Sequence, residues 1–309
     1  MTSTLSTRTD EYLALRRALG FKLFTGGRLL ESFVAYLDEQ GLTTVTVEAA
    51  LGWATAPSGA SRSWHAQRLG VVRGFAKYLQ IFDASCEVPP PELLVSPSHR
   101  TRPYLYSETE VVALMHAARA LVPELRAATY EAVIGLLTVT GMRGGEVIRL
   151  DRKDVDLDAG VVTVVSSKLD RTRLVPLHAS TVEALDAYAR RREQLCPSPR
   201  DNSSFFLCAA GTRLVQGSFE KTFTRIVRDA GVGNPPPSGR GGPRPHDLRH
   251  RFAVETLVRW HRSGADVGAL VPSLSTYLGH VSPASTYWYL SATPELFELA
   301  SSRVERMSR

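Results

Sequence analysis

Apolar residues recur at intervals of three and four along most of the chain, the spacing that lines one face of a helix. Asp10 to Leu19 shows it first, and Arg28 to Glu39 repeats it with Leu29, Phe33 and Leu37. Thr46 is placed to cap a helix running through Trp53. Between Ser61 and Gln80, the residues Trp64, Leu69, Val72, Phe75 and Leu79 form a continuous apolar stripe. The same segment carries Arg62, Arg68, Arg73 and Lys77 and no acidic residue, so it reads as a helix with one buried and one basic face. Such a face suits contact with a DNA backbone; the ordinary alternative is a solvated surface.

The helical spacing then stops. Pro89-Pro90-Pro91 and the stretch from Ser96 to Pro103 cannot continue a helix, and the second of these is basic, with Arg100 and Arg102. This predicts a helical domain over 1–95, a linker over 96–106 with the boundary near 103, and a second domain over 107–309. Ser107 and Glu110 form a capping box that opens a helix over 108–120, followed by another over 124–139. The runs Val161–Val165 and Arg173–Leu177 are strand-like, with Lys168 to Arg171 as a hairpin tip between them. Ser180 and Glu183 cap a helix to about Gln194. A helix from Ser218 to Asp229 precedes a loop rich in Gly and Pro, Gly231 to Pro245. Helices are predicted over 246–259, 271–278 and 283–289, and Thr293 with Pro294 starts a last one. No internal repeat is visible. The fold class is mainly α with a small antiparallel β-sheet.

Composition narrows the picture. A length of 309 residues fits two domains, and 43% hydrophobic residues suffice for packed cores. No run approaches the roughly 20 apolar residues of a membrane span. The start, MTSTLSTRTDEYLALRR, lacks the basic-then-apolar order of a signal peptide, so a soluble cytoplasmic protein with no membrane partner is expected. Cys86, Cys196 and Cys208 are odd in number and far apart, which gives neither a metal spacing nor a disulfide framework. No metal or cofactor is expected. Lys and Arg number 37 against 31 Asp and Glu, a net charge of +6 that suits a polyanionic partner.

Four segments carry candidate chemistry: Thr140-Gly141-Met142-Arg143-Gly144-Gly145-Glu146; Ser166-Ser167-Lys168; His246-Asp247-Leu248-Arg249-His250; and Leu278-Gly279-His280, with Tyr289 nine residues after that histidine. Breaking a phosphodiester without a metal requires a nucleophile, cations on the non-bridging oxygens and an acid for the leaving 5′-oxygen. Arginine grips phosphate with a planar, permanently charged fork. Histidine and lysine move protons and stabilise charge. A tyrosine serves as nucleophile where cations favour its ionised form. Taken singly, each residue also has an ordinary reading. Arg143 suits a surface or a cap, His246 a helix start, His280 a helix end and Lys168 a solvated turn. Tyr287, Trp288 and Tyr289 suit an aromatic core.

Together, the order Arg143, Lys168, His246-x-x-Arg249, His280, Tyr289 resembles the tyrosine recombinase family of phage-integrase and Xer-type enzymes. Residues 140–147, 246–250 and 278–289 match its three motifs, and the likeness covers about 104–300. The N-terminal region resembles the family's core-binding domain more loosely, and the ending from Thr286 to Leu296 looks like transposon-borne members. The resemblance implies a two-domain DNA clamp that recombines duplexes by site-specific breakage and rejoining, through a 3′-phosphotyrosyl bond and a Holliday junction. It implies Tyr289 as nucleophile, with Tyr287 as its rival. Arg143 and Arg249 would hold the non-bridging oxygens, and Lys168 would act as general acid, with Arg171 and Arg173 nearby in register. His246 and His280 would assist, Glu146 would support the site, and His250 would pack or cap. Arg240 and Arg244 on the 231–245 loop, with Arg62, Arg68, Arg73, Lys77, Arg100, Arg102, Arg171 and Arg173, are expected to meet double-stranded DNA. Assembly into a tetramer on DNA, exchange of the helix after Thr293, accessory recombination proteins and a bacterial nucleoid location follow from the same likeness. Integration, transposition and dimer resolution are all open as roles. A type IB topoisomerase-like activity and an inactive DNA-binding accessory protein are the alternatives.

Overall fold

The computed structural model describes residues 4–95, 103–165, 172–233, 242–280, 286, 287 and 289. Two compact units divide the chain, residues 1–100 and 101–309.

Among its described residues, the first unit holds four helices: α1 (Thr4–Ala18), α2 (Phe24–Glu39), α3 (Val47–Thr55) and α4 (Arg62–Leu79). The Thr46 side chain accepts from the Ala49 amide, and Ser61 accepts from Trp64, so each caps the helix it precedes. Leu30, Phe33, Leu37, Trp53, Leu69, Val72 and Phe75 make the core, and the stripe read on α4 is the face turned into it. The basic face of α4 is narrower than its charges suggest. Arg68 is buried; its guanidinium lies 3.7 Å from the Trp53 ring centroid and donates to the Trp53 carbonyl at 2.7 Å. One helical turn from Trp64 and from Val72, it is drawn into the apolar stripe, where a cation–π contact and a hydrogen bond offset its burial. Arg73 donates to the Pro89 and Pro90 carbonyls at 2.7 and 2.9 Å, tying down the proline run. Arg62 and Lys77 remain exposed.

The second unit opens on the capping box: Glu110 N–H donates to Ser107 Oγ at 3.2 Å, and Ser107 N–H to Glu110 Oε2 at 2.7 Å. There follow α5 (Glu108–Arg119), α6 (Glu124–Thr140) and the single turn α7 (Gly144–Val147). A 3-10 turn at Arg152–Asp154 leads to the strands β1 (Val155–Asp156), β2 (Val161–Val165) and β3 (Thr172–Pro176). The sheet is antiparallel in the order β1-β2-β3, with Val162 opposite Val175 and Val164 opposite Arg173. Lys168 and Arg171 lie outside the described residues, as do Arg100, Arg102, Arg240 and the segment from Thr293 on. Then come α8 (Ala179–Leu195), α9 (Gln216–Asp229), α10 (Pro245–Arg262) and α11 (Val267–Leu278).

Two of these helices begin differently from the sequence reading. His178, rather than Ser180, caps α8, its ring accepting from the Ser180 amide. α11 starts at Val267, capped by Asp266, and carries Pro272 inside it, where the sequence reading placed the start at 271. As the sixth residue of the helix, Pro272 has no N–H to give the Gly268 carbonyl, so one i→i−4 bond is missing inside the helix.

α6 is the central helix, packed against α5, α8 and α10, with Val133, Ile134, Leu136 and Leu137 buried. Phe219, Phe223, Ile226 and Val227 of α9 fall on one face at helical spacing and fill the same core. Each such side chain contributes about 1.5–3 kcal/mol by leaving water. A separate apolar cluster joins α10 to α11 through Ala253, Leu257, Val271, Leu274 and Leu278, and Tyr289 is buried within it. Among the described residues, no helix is long and apolar enough to cross a membrane.

Candidate active site

Two glycines bring the helix ends of the second unit together. Gly141 ends α6 with φ +61°, and Gly279 ends α11 with φ +67°, left-handed conformations that favour glycine. A Cβ on Gly141 would stand 2.5 Å from Phe252 Cδ1, and one on Gly279 would stand 2.9 Å from Arg173 Nη1. The backbone carbonyls freed at these ends become ligands for arginines. Arg249, on α10 and 1% exposed, donates Nη1 to Gly141 O at 2.9 Å and Nη2 to Leu278 O at 2.6 Å. Arg143 donates Nη2 to Gly279 O at 2.9 Å. Gly141→Ala is therefore expected to cost more than the 1–2 kcal/mol of left-handed strain alone. Gly264→Ala, at φ +76° with nothing within 4 Å of the new Cβ, isolates that strain. Urea unfolding of the two variants checks the difference; equal losses would contradict the packing account.

Glu146 joins Arg143 to Arg173. Arg173 Nη1 and Nη2 donate to its Oε1 and Oε2 at 3.1 and 2.7 Å, and Arg143 donates Nη1 to Oε1 at 2.9 Å and its amide to Oε2 at 2.8 Å. Burial pushes this carboxyl up, but the Arg173 fork, the Arg143 amide and both positive charges prevail and hold it at about 2. Arg173 is thus turned inward to a carboxylate, against the expectation of a DNA-facing side chain. Arg244 is occupied in part as well, pairing at 3.1 Å with the buried Asp247 that caps α10.

Two histidines flank Tyr289, and a third packs against one of them. His250 Nδ1 lies 2.9 Å from the Tyr289 hydroxyl. The His246 ring, one turn earlier on α10, meets the His250 ring edge-on at 4.7 Å and 89°. His280 lies nearly parallel to Tyr289 at 6.2 Å between ring centroids, and its Nδ1 is 2.6 Å from Thr286 Oγ1. Burial, with the charges of His246, Arg244, Arg249 and His280, pushes His250 down to about 3. Burial and the Arg249 and Arg143 charges lower His280 to about 4. His246 is solvent-exposed, but its neighbours withhold part of its hydration, and this, with the Arg249 charge, lowers its pKa too. Arg249 is pushed down to about 10, first by burial and then by Arg143, and so stays charged at neutral pH. At pH 7 the site presents cationic arginines and neutral imidazoles around a buried tyrosine.

The structure thus brings Arg143, Glu146, His246, Arg249, His280 and Tyr289 into one site. Tyr287 is 48% exposed, whereas Tyr289 is 2% exposed and faces the histidines. Lys168 lies outside the described residues. Two residues have partners that the sequence does not show. Arg173, expected to meet DNA, grips Glu146, and His250, expected to pack or cap, meets the Tyr289 hydroxyl; its four-residue spacing from His246 puts both histidines on one helix face. Among the described residues, no group of three or more His, Cys, Asp or Glu could hold a metal ion. A groove of about 570 Å³ between α5, α6 and α8, lined by Val111, Met115, Leu136 and Tyr188, does not include the histidines or Tyr289.

Residues 105–295 match the phage integrase family. The chain belongs to this family of tyrosine recombinases. A putative integrase/recombinase of Sinorhizobium fredii, y4rB, is 43% identical over 309 residues, covering 98% of each chain. The tyrosine recombinase XerD of Mycobacterium tuberculosis is 33% identical over 236 residues, 74% of this chain and 69% of that one. Among solved structures, the integrase of transposon Tn1549 in complex with circular-intermediate DNA aligns with a TM-score of 0.67 at 16% identity, covering 99% of this chain and 100% of that one. XerH bound to a palindromic difH substrate aligns at 0.65 and 20% identity, covering 91% and 79%. These structural likenesses extend the tyrosine recombinase fold over both units of the chain. Family membership makes this recombinase an enzyme of site-specific recombination.

Proposed function

We propose that this recombinase cuts and rejoins double-stranded DNA through a 3′-phosphotyrosyl bond at Tyr289, with arginines in place of a metal ion. The observation that carries the reading is the placement of the buried Tyr289 hydroxyl 2.9 Å from His250 Nδ1 and within electrostatic reach of Arg249. Arg143 and Arg249 hold the non-bridging oxygens of the scissile phosphate. Arg249 spends two of its five N–H groups on Gly141 and Leu278, which fixes the guanidinium plane and leaves the others for phosphate. His246, open to solvent, and His280 bind oxygen and assist proton transfer. Lys168 protonates the departing 5′-oxygen, and Glu146 holds Arg143 in register. The covalent bond conserves the phosphodiester's energy, so the 5′-end of a partner strand can reverse the attack without ATP. Two such exchanges, passing through a Holliday junction in a tetramer, recombine two duplexes. The DNA-bound complexes of Tn1549 integrase and XerH support DNA as the partner, and the likeness to the Tn1549 transposon integrase supports a mobile-element role.

A nicked-duplex assay in EDTA tests the chemistry. Wild type and Tyr287→Phe are expected to give a denaturation-resistant protein–DNA adduct, and Tyr289→Phe none. An adduct that survives in Tyr289→Phe, or needs added divalent metal, contradicts the reading.

A further inference from the structure

A tyrosine hydroxyl is protonated at neutral pH, with an ordinary pKa near 10. As its oxygen bonds to phosphorus, the proton must leave. A group that takes it has to stand within hydrogen-bond reach and be oriented by a third group. His250 meets both conditions: its Nδ1 is 2.9 Å from the Tyr289 hydroxyl, and the His246 ring abuts it edge-on at 4.7 Å. The other histidines are placed for different work. His280 presents a ring face to Tyr289 and directs Nδ1 to Thr286 Oγ1 at 2.6 Å, and His246 packs its ring against His250 and feels the Arg249 charge.

We propose that His250 accepts the phenolic proton of Tyr289 during strand cleavage and returns it during rejoining. The proposal rests on the strand-cleavage reading above. In the forward step, the Tyr289 Oη–P bond forms and the P–O5′ bond breaks. The phenolic proton passes to His250 Nδ1, and the 5′-oxygen takes a separate proton from the acid assigned to Lys168. The reverse step retraces each transfer.

The surroundings make His250 neutral at rest. Burial and the charges of His246, Arg244, Arg249 and His280 keep the ring unprotonated; the tautomer with its hydrogen on Nε2, which the proposal requires, has a lone pair on Nδ1 to offer Tyr289. A resting value of about 3 marks a weak base, and two changes on the reaction path correct this. A docked phosphate anion between Arg143 and Arg249 offsets the cations that depress the ring. The phenolic oxygen also becomes far more acidic as it bonds to phosphorus. Transfer is therefore late and concerted with attack, and no free phenolate accumulates.

The experiment uses full-length protein and a nicked-duplex library with randomised arms, from which wild-type covalent adducts are selected and sequenced. The recovered duplex is then made in two forms, with an ordinary 5′-oxygen at the scissile position and with sulfur there. A thiolate leaves without an acid, so the sulfur form isolates the proton on the nucleophile from the proton on the leaving group. His250→Phe, which keeps an aromatic ring and removes the nitrogen, is compared with Lys168→Ala and wild type. His250→Phe is expected to form adduct about 10²–10⁴-fold more slowly on both duplexes. Its rate should rise about tenfold per pH unit between roughly pH 7 and 9 as hydroxide replaces the ring. Lys168→Ala should recover on sulfur. DNA binding by His250→Phe, read by gel shift, should stay within about threefold of wild type.

Wild-type rates for His250→Phe overturn the proposal, and so does rescue by sulfur, which would make His250 the leaving-group acid. A slowing that is the same at every pH would show a packing role only and also overturns it. A folding check comes from the histidine ring 15N spectrum of DNA-free wild type. An accepting Nδ1 on His250 that shifts in Tyr289→Phe is expected, and a protonated Nδ1 overturns the proposal. If wild type selects no adduct at all, the strand-cleavage reading falls, whereas adduct with an unaffected His250→Phe removes the proposal alone.

Discussion

Glu146→Gln is expected to destabilise the second unit by about 3–5 kcal/mol and to flatten its acid sensitivity. The Glu146 side chain is 8% exposed and receives both Nη groups of Arg173 together with the side chain and amide of Arg143. The amide of glutamine accepts through one oxygen and presents N–H groups to a guanidinium, so Arg173, with a 14% exposed side chain, loses half its fork and keeps its charge. The sign of the pH effect follows from the direction of the shift. The folded carboxyl at about 2 lies below its ordinary 4.5, so the folded state releases this proton more readily than the unfolded one. Its contribution, about 3 kcal/mol, is whole above roughly pH 4.5 and is lost as pH falls toward 2. Glutamine cannot titrate, so the variant should start less stable at pH 7 and lose less on acidification. Urea midpoints at pH 7 and pH 4 measure both parts; a variant with wild-type stability and wild-type acid slope would show that the pair contributes little. Cleavage should fall as well, because Arg143 is held toward Gly279 O by the same carboxylate.

Arg249→Lys is expected to lower single-turnover cleavage by about 10³–10⁵-fold, the worth of an arginine that stabilises a transferring phosphoryl group. The charge is conserved and the geometry is not. One ammonium cannot bridge Gly141 O and Leu278 O, which Arg249 spans at 2.9 and 2.6 Å, and also face a phosphate. At least one buried carbonyl is left unpaired, at a cost of about 1–3 kcal/mol in stability. Because Gly141 ends α6 and Leu278 ends α11, the loss also loosens the joint that sets Arg143 against Gly279. A cleavage rate within about tenfold of wild type would contradict the bidentate role.

Much of the fold is written in short segments. Ser107 with Glu110, Thr46, and the paired strands at 161–165 and 172–176 involve neighbours in sequence, so local pattern suffices to read them. The three motifs are equally legible because each sits at one helix end or on one helix face. Long-range partners are not legible. Arg173 looks like a surface cation until Glu146, 27 residues earlier, is seen beneath it. Arg68 carries a charge on what pattern marks as the basic face, yet Trp53, 15 residues away, offers it a ring and a carbonyl. His250 illustrates a different limit. Its spacing from His246 shows that the two share a face, but only the return of the chain at Tyr289, 39 residues on, shows what that face meets. Helix starts shift for a related reason: His178 caps α8 with an imidazole, a role that sequence rules assign to Ser, Thr, Asp or Asn.

The most direct test locates the covalent bond itself. The adduct selected from the nicked library is digested with nuclease and trypsin, and the peptide spanning Ser263 to Arg303 is fragmented in a mass spectrometer. A nucleotide joined through its 3′-phosphate to Tyr289, formed in EDTA, is the expected result. Attachment at Tyr287 or at any other residue, or linkage through a 5′-phosphate, would contradict the account of the site.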